Sequence, residues 1–233
     1  MLYQRIKQTL FSSVPRLCAL CGLPLASGEY DWCGTCLSYF QPTPRCTRCG
    51  LQMPFSTPQC GRCLKSPPLW NHLYCLGDYA YPLTQMIHQI KYGRQFWHID
   101  SLAALLAKSI PSPAPLLLPV PMHWQRYLHR GFNQSTLLTH SLSRHLGVAC
   151  QTRLLQRIRS TPPQEGLHKT ERENNLMQAF TLRSLPPVRH VAIVDDVVTT
   201  GSTVSQLCQL LLEVGVEYID IYCLCRTPEY HNQ

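Results

Sequence analysis

The sequence predicts an α/β protein with a parallel sheet, preceded by a small cysteine-rich metal module. Three observations carry this. Eight of the 13 cysteines stand as four Cys-x-x-Cys pairs before residue 64. From about Leu73, short apolar runs alternate with stretches of helical periodicity, the pattern of a parallel sheet crossed by helices. Near the C-terminus, the apolar run of "VAIVDDVVTTGSTV", Val191 to Val204, ends in two aspartates and a hydroxyl-rich glycine loop.

At 233 residues the chain can bury one sizeable core and keep a small extra module. Its net charge of +8 is uneven. Residues 1–75 hold seven basic against two acidic residues, and residues 76–233 hold 14 against 11. A basic excess suits a polyanionic partner, though many basic proteins have none. No apolar run approaches the ~18 residues of a membrane span. The opening "MLYQRIKQTLFSSVP" carries charges where a signal peptide needs an apolar region, so the expected compartment is the cytoplasm. Cysteines there read as metal ligands or core thiols before disulfides.

The cysteine pairs form a repeat: "CALCGLPL" returns as "CTRCGLQM", and "CGTCL" as "CGRCL". The repeat argues for two four-thiolate sites paired in sequence. One uses Cys18, Cys21, Cys33 and Cys36, the other Cys46, Cys49, Cys60 and Cys63. Zinc is the expected ion at both, with iron using the same ligands as the alternative. Proline-rich "KSPPLWN" reads as a linker, giving a metal module over 1–72 and a second domain over 73–233.

In that second domain "LYCLGDYAY" reads as a strand. Helical periodicity covers Leu83 to Ile110, broken near Gly93. "PLLLPVP" is a short buried strand, and "FNQSTLLTHSLSRHLG" an amphipathic helix ended by Gly147. Residues 150–180 are polar and basic with little regular pattern. The Val191 strand, a helix from about Thr203 to Val214 and the strand "YIDIYCLCR" complete the chain. Cys75, Cys150, Cys208, Cys223 and Cys225 lie in apolar patterns and read as small hydrophobes.

A strand that runs into a glycine loop opening a helix can hold an anion on free N–H groups and the helix dipole. Gly201 lets the backbone approach, and Thr199, Thr200, Ser202 and Thr203 add hydroxyl donors. Asp195 and Asp196 would repel a phosphate. They suit the other end of such a ligand, accepting from two vicinal hydroxyls or reaching Mg²⁺. A phosphate beside a diol describes a ribose 5-phosphate. The chain has neither the Gly-Lys-Ser/Thr of a P-loop nor G-x-G-x-x-G, which argues against those nucleotide-binding classes.

The fourteen-residue string resembles the phosphoribosyl pyrophosphate (PRPP) motif of type I phosphoribosyltransferases. Together with the four cysteine pairs, "IHQIKYGR", "PVPMHWQRYLHRGFNQ" and "RSTPPQEGLHKTERENNLMQAF", it resembles the ComF/GntX family of competence-type phosphoribosyltransferase-like proteins over nearly the whole chain. The resemblance implies a type I phosphoribosyltransferase fold with a central parallel sheet behind a double zinc ribbon. It assigns Asp195 and Asp196 to the ribose, Thr199–Thr203 to the 5-phosphate, and the loop at Val120 and Pro121 to pyrophosphate. Arg126 and Arg130, which follow that loop, suit diphosphate oxygens or else are solvated. Some purine-salvage relatives carry a third acid where this chain has Thr199, so no acceptor-activating residue is visible.

Between Arg126 and Arg172 lie eight basic and two acidic residues, with Trp124, Tyr127 and Phe132 in or beside them. Lys91, Tyr92 and Arg94 add to them upstream. Charge interleaved with aromatics suits single-stranded DNA, or serves a loop that touches only PRPP. Two functions follow. One is a PRPP-binding protein of DNA uptake, competence or use of external DNA, contacting single-stranded DNA and proteins of uptake or recombination. The other is an active phosphoribosyltransferase that moves the phosphoribosyl group from Mg²⁺–PRPP to an acceptor.

Overall fold

A computed structural model describes residues 16–159 and 179–228. By packing, the chain divides into two compact units, Met1–Gln41 and Pro42–Gln233.

The first unit is a single knuckle. Its described part joins Leu17 to Pro24 in a short bridge, followed by helix α1 (Gly34–Leu37) and a 3₁₀ turn (Ser38–Phe40). Trp32 and Phe40 meet edge to face at 4.8 Å, and with Cys18 and Cys36 they make up the buried apolar content.

The second unit is built on a five-stranded, wholly parallel sheet. Its strands are β1 (His72–Asp78), β2 (Leu116–Pro119), β3 (Ala149–Cys150), β6 (His190–Val198) and β7 (Tyr218–Arg226). The order is β1-β7-β6-β2-β3. The strands β6 and β7 are buried on both faces, as their largely apolar runs require: Val191 to Val194 and Ile219 to Cys225 are almost fully enclosed, Asp220 among them paired with His72 and His190. Helices α3 (Leu83–Gly93), α4 (Trp97–Lys108), α5 (Trp124–Arg130), α6 (Gln134–Leu146) and α7 (Ser202–Glu213) connect the strands. Helix α4 packs on α6, and α6 packs on β6 and β2. Gly147 closes α6 in the left-handed conformation, at φ 67°.

Two sequence expectations are corrected here. "KSPPLWN" is not a free linker. Trp70 is buried and donates Nε1–H to the Arg48 carbonyl at 2.7 Å, and Asn71 exchanges two hydrogen bonds with Ile219. The second cysteine knuckle, with helix α2 (Gly61–Lys65), is therefore fastened to the sheet. Arg45 bonds both the Gly50 carbonyl (2.8 Å) and Asp78 (2.7 Å), and Leu73 N–H reaches the Thr47 carbonyl (2.9 Å). With that cement the second knuckle packs as part of the unit Pro42–Gln233.

The polar segment after residue 150 also holds an unexpected pair of antiparallel strands, β4 (Leu155–Arg157) and β5 (Phe180–Leu182). Three-residue strands are too short to show a period of two. Residues 160–178, which carry Lys169 and Arg172 of the basic stretch and most of "RSTPPQEGLHKTERENNLMQAF", lie outside the described residues.

Candidate functional site

The register Pro119↔Val194 sets the carboxyl ends of β2 and β6 side by side. Ligands of open parallel sheets sit at such ends. A cleft of about 530 Å³ opens there, lined by Lys91, Val120, Pro121, Met122, Arg126, Arg130, Asn133, Gln134, Ser135, Arg157, Asp195, Asp196 and Thr203 among others.

Asp195 and Asp196 stand near the end of β6, both partly buried. Asp195 Oδ1 accepts from Ser135 Oγ at 2.9 Å and from the Asp196 N–H at 2.9 Å. Burial, reinforced by the neighbouring Asp196 charge, outweighs those two bonds and pushes the Asp195 carboxyl up to about 8. Asp196 Oδ2 lies 2.5 Å from Lys91 Nζ, which reaches in from α3. "IHQIKYGR" thus supplies a cation to the acidic pair.

The same logic explains "RGFNQ". Gly131 turns the chain at φ 82°, and Phe132 packs edge to face on Phe96 at 4.6 Å. Asn133 caps α6, its Oδ1 accepting from Ser135 N–H, while its Nδ2–H reaches the Val120 carbonyl at 3.0 Å. Gln134 is buried against the cleft, its Oε1 enclosed without a hydrogen-bond donor. Ser135 then holds Asp195. One short motif locks the β2 loop, the helix start and the acid together.

Guanidinium groups share the cleft with the acids. Arg126 and Arg130 come from α5, and Arg130 lies over the Tyr92 ring at 5.6 Å. Burial, with the Arg126 charge adding to it, lowers the Arg157 pKa, so these two cations lie near each other. Acids and guanidiniums lining one cleft suit a ligand that carries both hydroxyls and phosphates.

The loop 199–203 enters helix α7 with Gly201 at φ 80°, and no side chain caps the helix. Thr203 lines the cleft. Thr200 Oγ1 and Ser202 Oγ lie 3.0 Å apart, while Thr199, Thr200 and Ser202 face outward. A Cβ at Gly201 would meet Trp70 Cη2 at 2.9 Å, so glycine is needed for packing as well as for backbone sign.

Sequence reasoning thus met Asp195, Asp196, Val120, Pro121, Arg126, Arg130 and Thr203 in one cleft. It missed Gln134, Ser135 and Arg157 as lining residues. It placed Lys91 with a basic stretch suited to single-stranded DNA or to PRPP alone, and did not foresee that Lys91 meets Asp196. His129 lines the cleft; His88 instead packs on Tyr92 at 4.7 Å between ring centres.

The eight cysteines form two groups, each with all its Sγ atoms within 4.8 Å of one another. Cys21 and Cys33 Sγ are 3.9 Å apart, Cys46 and Cys63 3.9 Å, and Cys49 and Cys60 3.7 Å. A tetrahedral Zn²⁺ with Zn–S near 2.3 Å spaces its sulfurs by about 3.8 Å, while a disulfide needs about 2.05 Å. The groups therefore fit zinc. Burial alone would raise Cys18, but N–H groups of Cys21, Cys33 and Leu20 outweigh it and bring the thiol down to about 6. Burial is likewise outweighed at Cys60, chiefly by the Cys63 N–H, and that thiol falls to about 7. Burial pushes Cys36, Cys49 and Cys63 up instead, so a metal, which binds the thiolate form, would have to displace protons from them.

Residues 133–232 match the phosphoribosyl transferase domain family. Over 224 residues the chain is 41% identical to the DNA utilization protein YhgH of Escherichia coli (strain K12), covering 92% of this chain and 99% of that one. Over 220 residues it is 34% identical to Competence protein F of Haemophilus influenzae, covering 90% and 96%. A solved glutamine PRPP amidotransferase from B. subtilis, complexed with ADP and GMP, aligns with TM-score 0.38 and 17% identity, over 55% of this chain and 26% of that one. No helix among the described residues is long and apolar enough to cross a membrane.

Proposed function

The chain belongs to the ComF/GntX family of phosphoribosyltransferase-like proteins, and from that premise we propose that it binds Mg²⁺–PRPP in the Asp195–Asp196 cleft and serves the uptake or use of external DNA. One observation carries the ligand. Two acids held by Ser135 and Lys91 line the same cleft as Arg126, Arg130 and Arg157, with Thr203 from the helix start after Gly201 lining it too.

In this reading Asp195 and Asp196 accept from the ribose hydroxyls or reach the metal. The Thr199–Thr203 loop cradles the 5-phosphate with its N–H groups and the α7 dipole. Val120 and Pro121 form the loop against pyrophosphate, and Arg126 and Arg130 neutralise it. Mg²⁺, when bound, neutralises diphosphate oxygens and makes them a better leaving group. The cytoplasm is the proposed compartment, where eight thiolates stay available to metal.

Single-stranded DNA is the proposed macromolecular partner, with proteins of uptake or recombination beside it. A second hollow of about 620 Å³ shares Pro121, Met122, Asn133 and Arg157 with the first. Trp124, Tyr127, Arg153 and Arg183 line it, and no acidic residue among the described ones does. Exposed rings stack bases, and guanidiniums follow the backbone.

The adjoining hollow also favours a second reading, in which it receives an acceptor and the protein is an active phosphoribosyltransferase. Pyrophosphate release from Mg²⁺–PRPP, with and without single-stranded DNA or candidate bases, separates the two. A binding protein gives a calorimetric isotherm and no release. Release stimulated by an acceptor establishes the transferase. An absent isotherm rejects both.

A further inference from the structure

The second cysteine knuckle and the phosphate loop touch the same two side chains. Three successive carbonyls of the knuckle turn are each held from the sheet-bearing part of the chain. Thr47 O accepts from Leu73 N–H at 2.9 Å, Arg48 O from Trp70 Nε1–H at 2.7 Å, and Cys49 O from Arg226 Nε–H at 3.2 Å. Two of these links continue to the loop. The Trp70 ring packs directly under Gly201. Arg226, only 3% exposed, donates Nη1–H to the carbonyls of Val198, at 3.3 Å, and Thr199, and also to that of Thr227 at 3.0 Å. One guanidinium thus spans the metal turn and the first residues of the loop.

The buried cluster at this short turn is the four cysteines themselves, with Leu51 and Met53 half-buried against them, so whatever gathers the four sulfurs sets the carbonyl directions. Whatever fixes Cys46, Cys49, Cys60 and Cys63 also fixes the donors' acceptors, and through Trp70 and Arg226 it biases the path of Thr199 to Gly201. We propose that Trp70 and Arg226 are positioning residues coupling metal at the second four-cysteine site to binding of a phosphate monoester on the Thr199–Thr203 loop, so that each ligand tightens the other. The coupling rests on the reading that this loop holds the 5-phosphate of PRPP. By linkage, the effect of metal on PRPP equals the effect of PRPP on metal, so it can be read from the metal side.

The experiment uses full-length protein carrying two zinc ions, titrated with a chelating dye to equilibrium while zinc release is followed by absorbance. Saturating Mg²⁺–PRPP is expected to raise the dye concentration that removes one of the two ions about fivefold or more and to leave the other alone. Trp70→Phe keeps a ring under Gly201 and loses the N–H on Arg48 O. Arg226→Lys keeps a charge and loses the fork that spans both carbonyl sets. Each is expected to retain two zinc ions per chain and to shrink the protection to about twofold or less. Calorimetry on the same samples separates the failures. Normal PRPP binding with zinc release unchanged in the wild-type chain overturns the coupling and keeps the site. Undiminished protection in both variants overturns the assignment to Trp70 and Arg226. No PRPP binding at all overturns the phosphate reading and the coupling with it.

Discussion

Ser135 Oγ donates to Asp195 Oδ1 across 2.9 Å, joining the first turn of α6 to the end of β6. The bond favours the charged carboxylate, yet burial and Asp196 still hold the carboxyl near 8, far above its ordinary 3.8. The sign follows. Below about 8 the group is neutral and a poor acceptor for ribose hydroxyls or metal, so Mg²⁺–PRPP affinity rises with pH toward 8, by at most about tenfold per unit, and levels off above it. Ser135→Ala removes a bond to the charged form and moves the rise to higher pH. Calorimetry across that range, in two buffers of different ionisation enthalpy, reads both the affinity and the proton released. A flat profile would rule out Asp195 as the titrating acceptor.

The same shift has a stability counterpart. A carboxyl raised by folding contributes stability that is full below about 3.8 and lost as pH rises through about 8. Asp195→Asn is therefore expected to melt higher than the wild type at pH above 8, with the advantage vanishing in acid. Thermal melts at both ends of the range test it.

Lys91 neutralises Asp196, with Nζ 2.5 Å from Oδ2. Without it, two adjacent carboxylates would repel the phosphates of an incoming ligand. Lys91→Ala should weaken PRPP by roughly tenfold, on the order of 1–3 kcal/mol for a partly buried charge left unpaired. It should also make binding more dependent on Mg²⁺. Titrations at low and high Mg²⁺ check this; equal losses at both would show that Lys91 acts elsewhere.

Gly201 carries two constraints at once, a positive φ and the Trp70 ring. Gly201→Ala costs about 1–2 kcal/mol for the left-handed backbone and must also displace the ring. Expected are a lowered melting temperature and weakened PRPP binding. A melting temperature and a PRPP affinity both unchanged would show that neither the backbone sign nor the ring constrains this position.

Arg153 and Arg183 line the second hollow and not the first. Replacing both with alanine should flatten the salt dependence of single-stranded DNA binding by up to about 0.7 for each phosphate no longer neutralised, and leave PRPP binding intact. Unchanged DNA affinity at low salt would remove the hollow from any DNA path.

The sequence exposed what is local. The apolar run into Asp195–Asp196 and the glycine loop, the spacing of eight thiolates, and the helix ended by Gly147 each lie in a few consecutive residues. What it hid is non-local. Nothing near Lys91 says that it meets Asp196, 105 positions on, and Ser135 finds Asp195 across 60 positions. "KSPPLWN" looked like a spacer because its composition is that of one. Trp70 was the contrary signal, since a large ring in a short polar stretch seldom stays in water. "RGFNQ" stood out as a motif, but its work as turn and cap, with Ser135 just after it holding the Asp195 carboxylate, appears only when α6 is set against β2 and β6.

The most direct measurement is a calorimetric titration of the zinc-loaded, full-length protein with Mg²⁺–PRPP, beside Asp196→Ala. The Asp195–Asp196 cleft predicts one PRPP per chain, with affinity falling by about tenfold or more in the variant, the cost of removing a charged hydrogen-bond partner. Equal binding by the two proteins, or none by either, would contradict it.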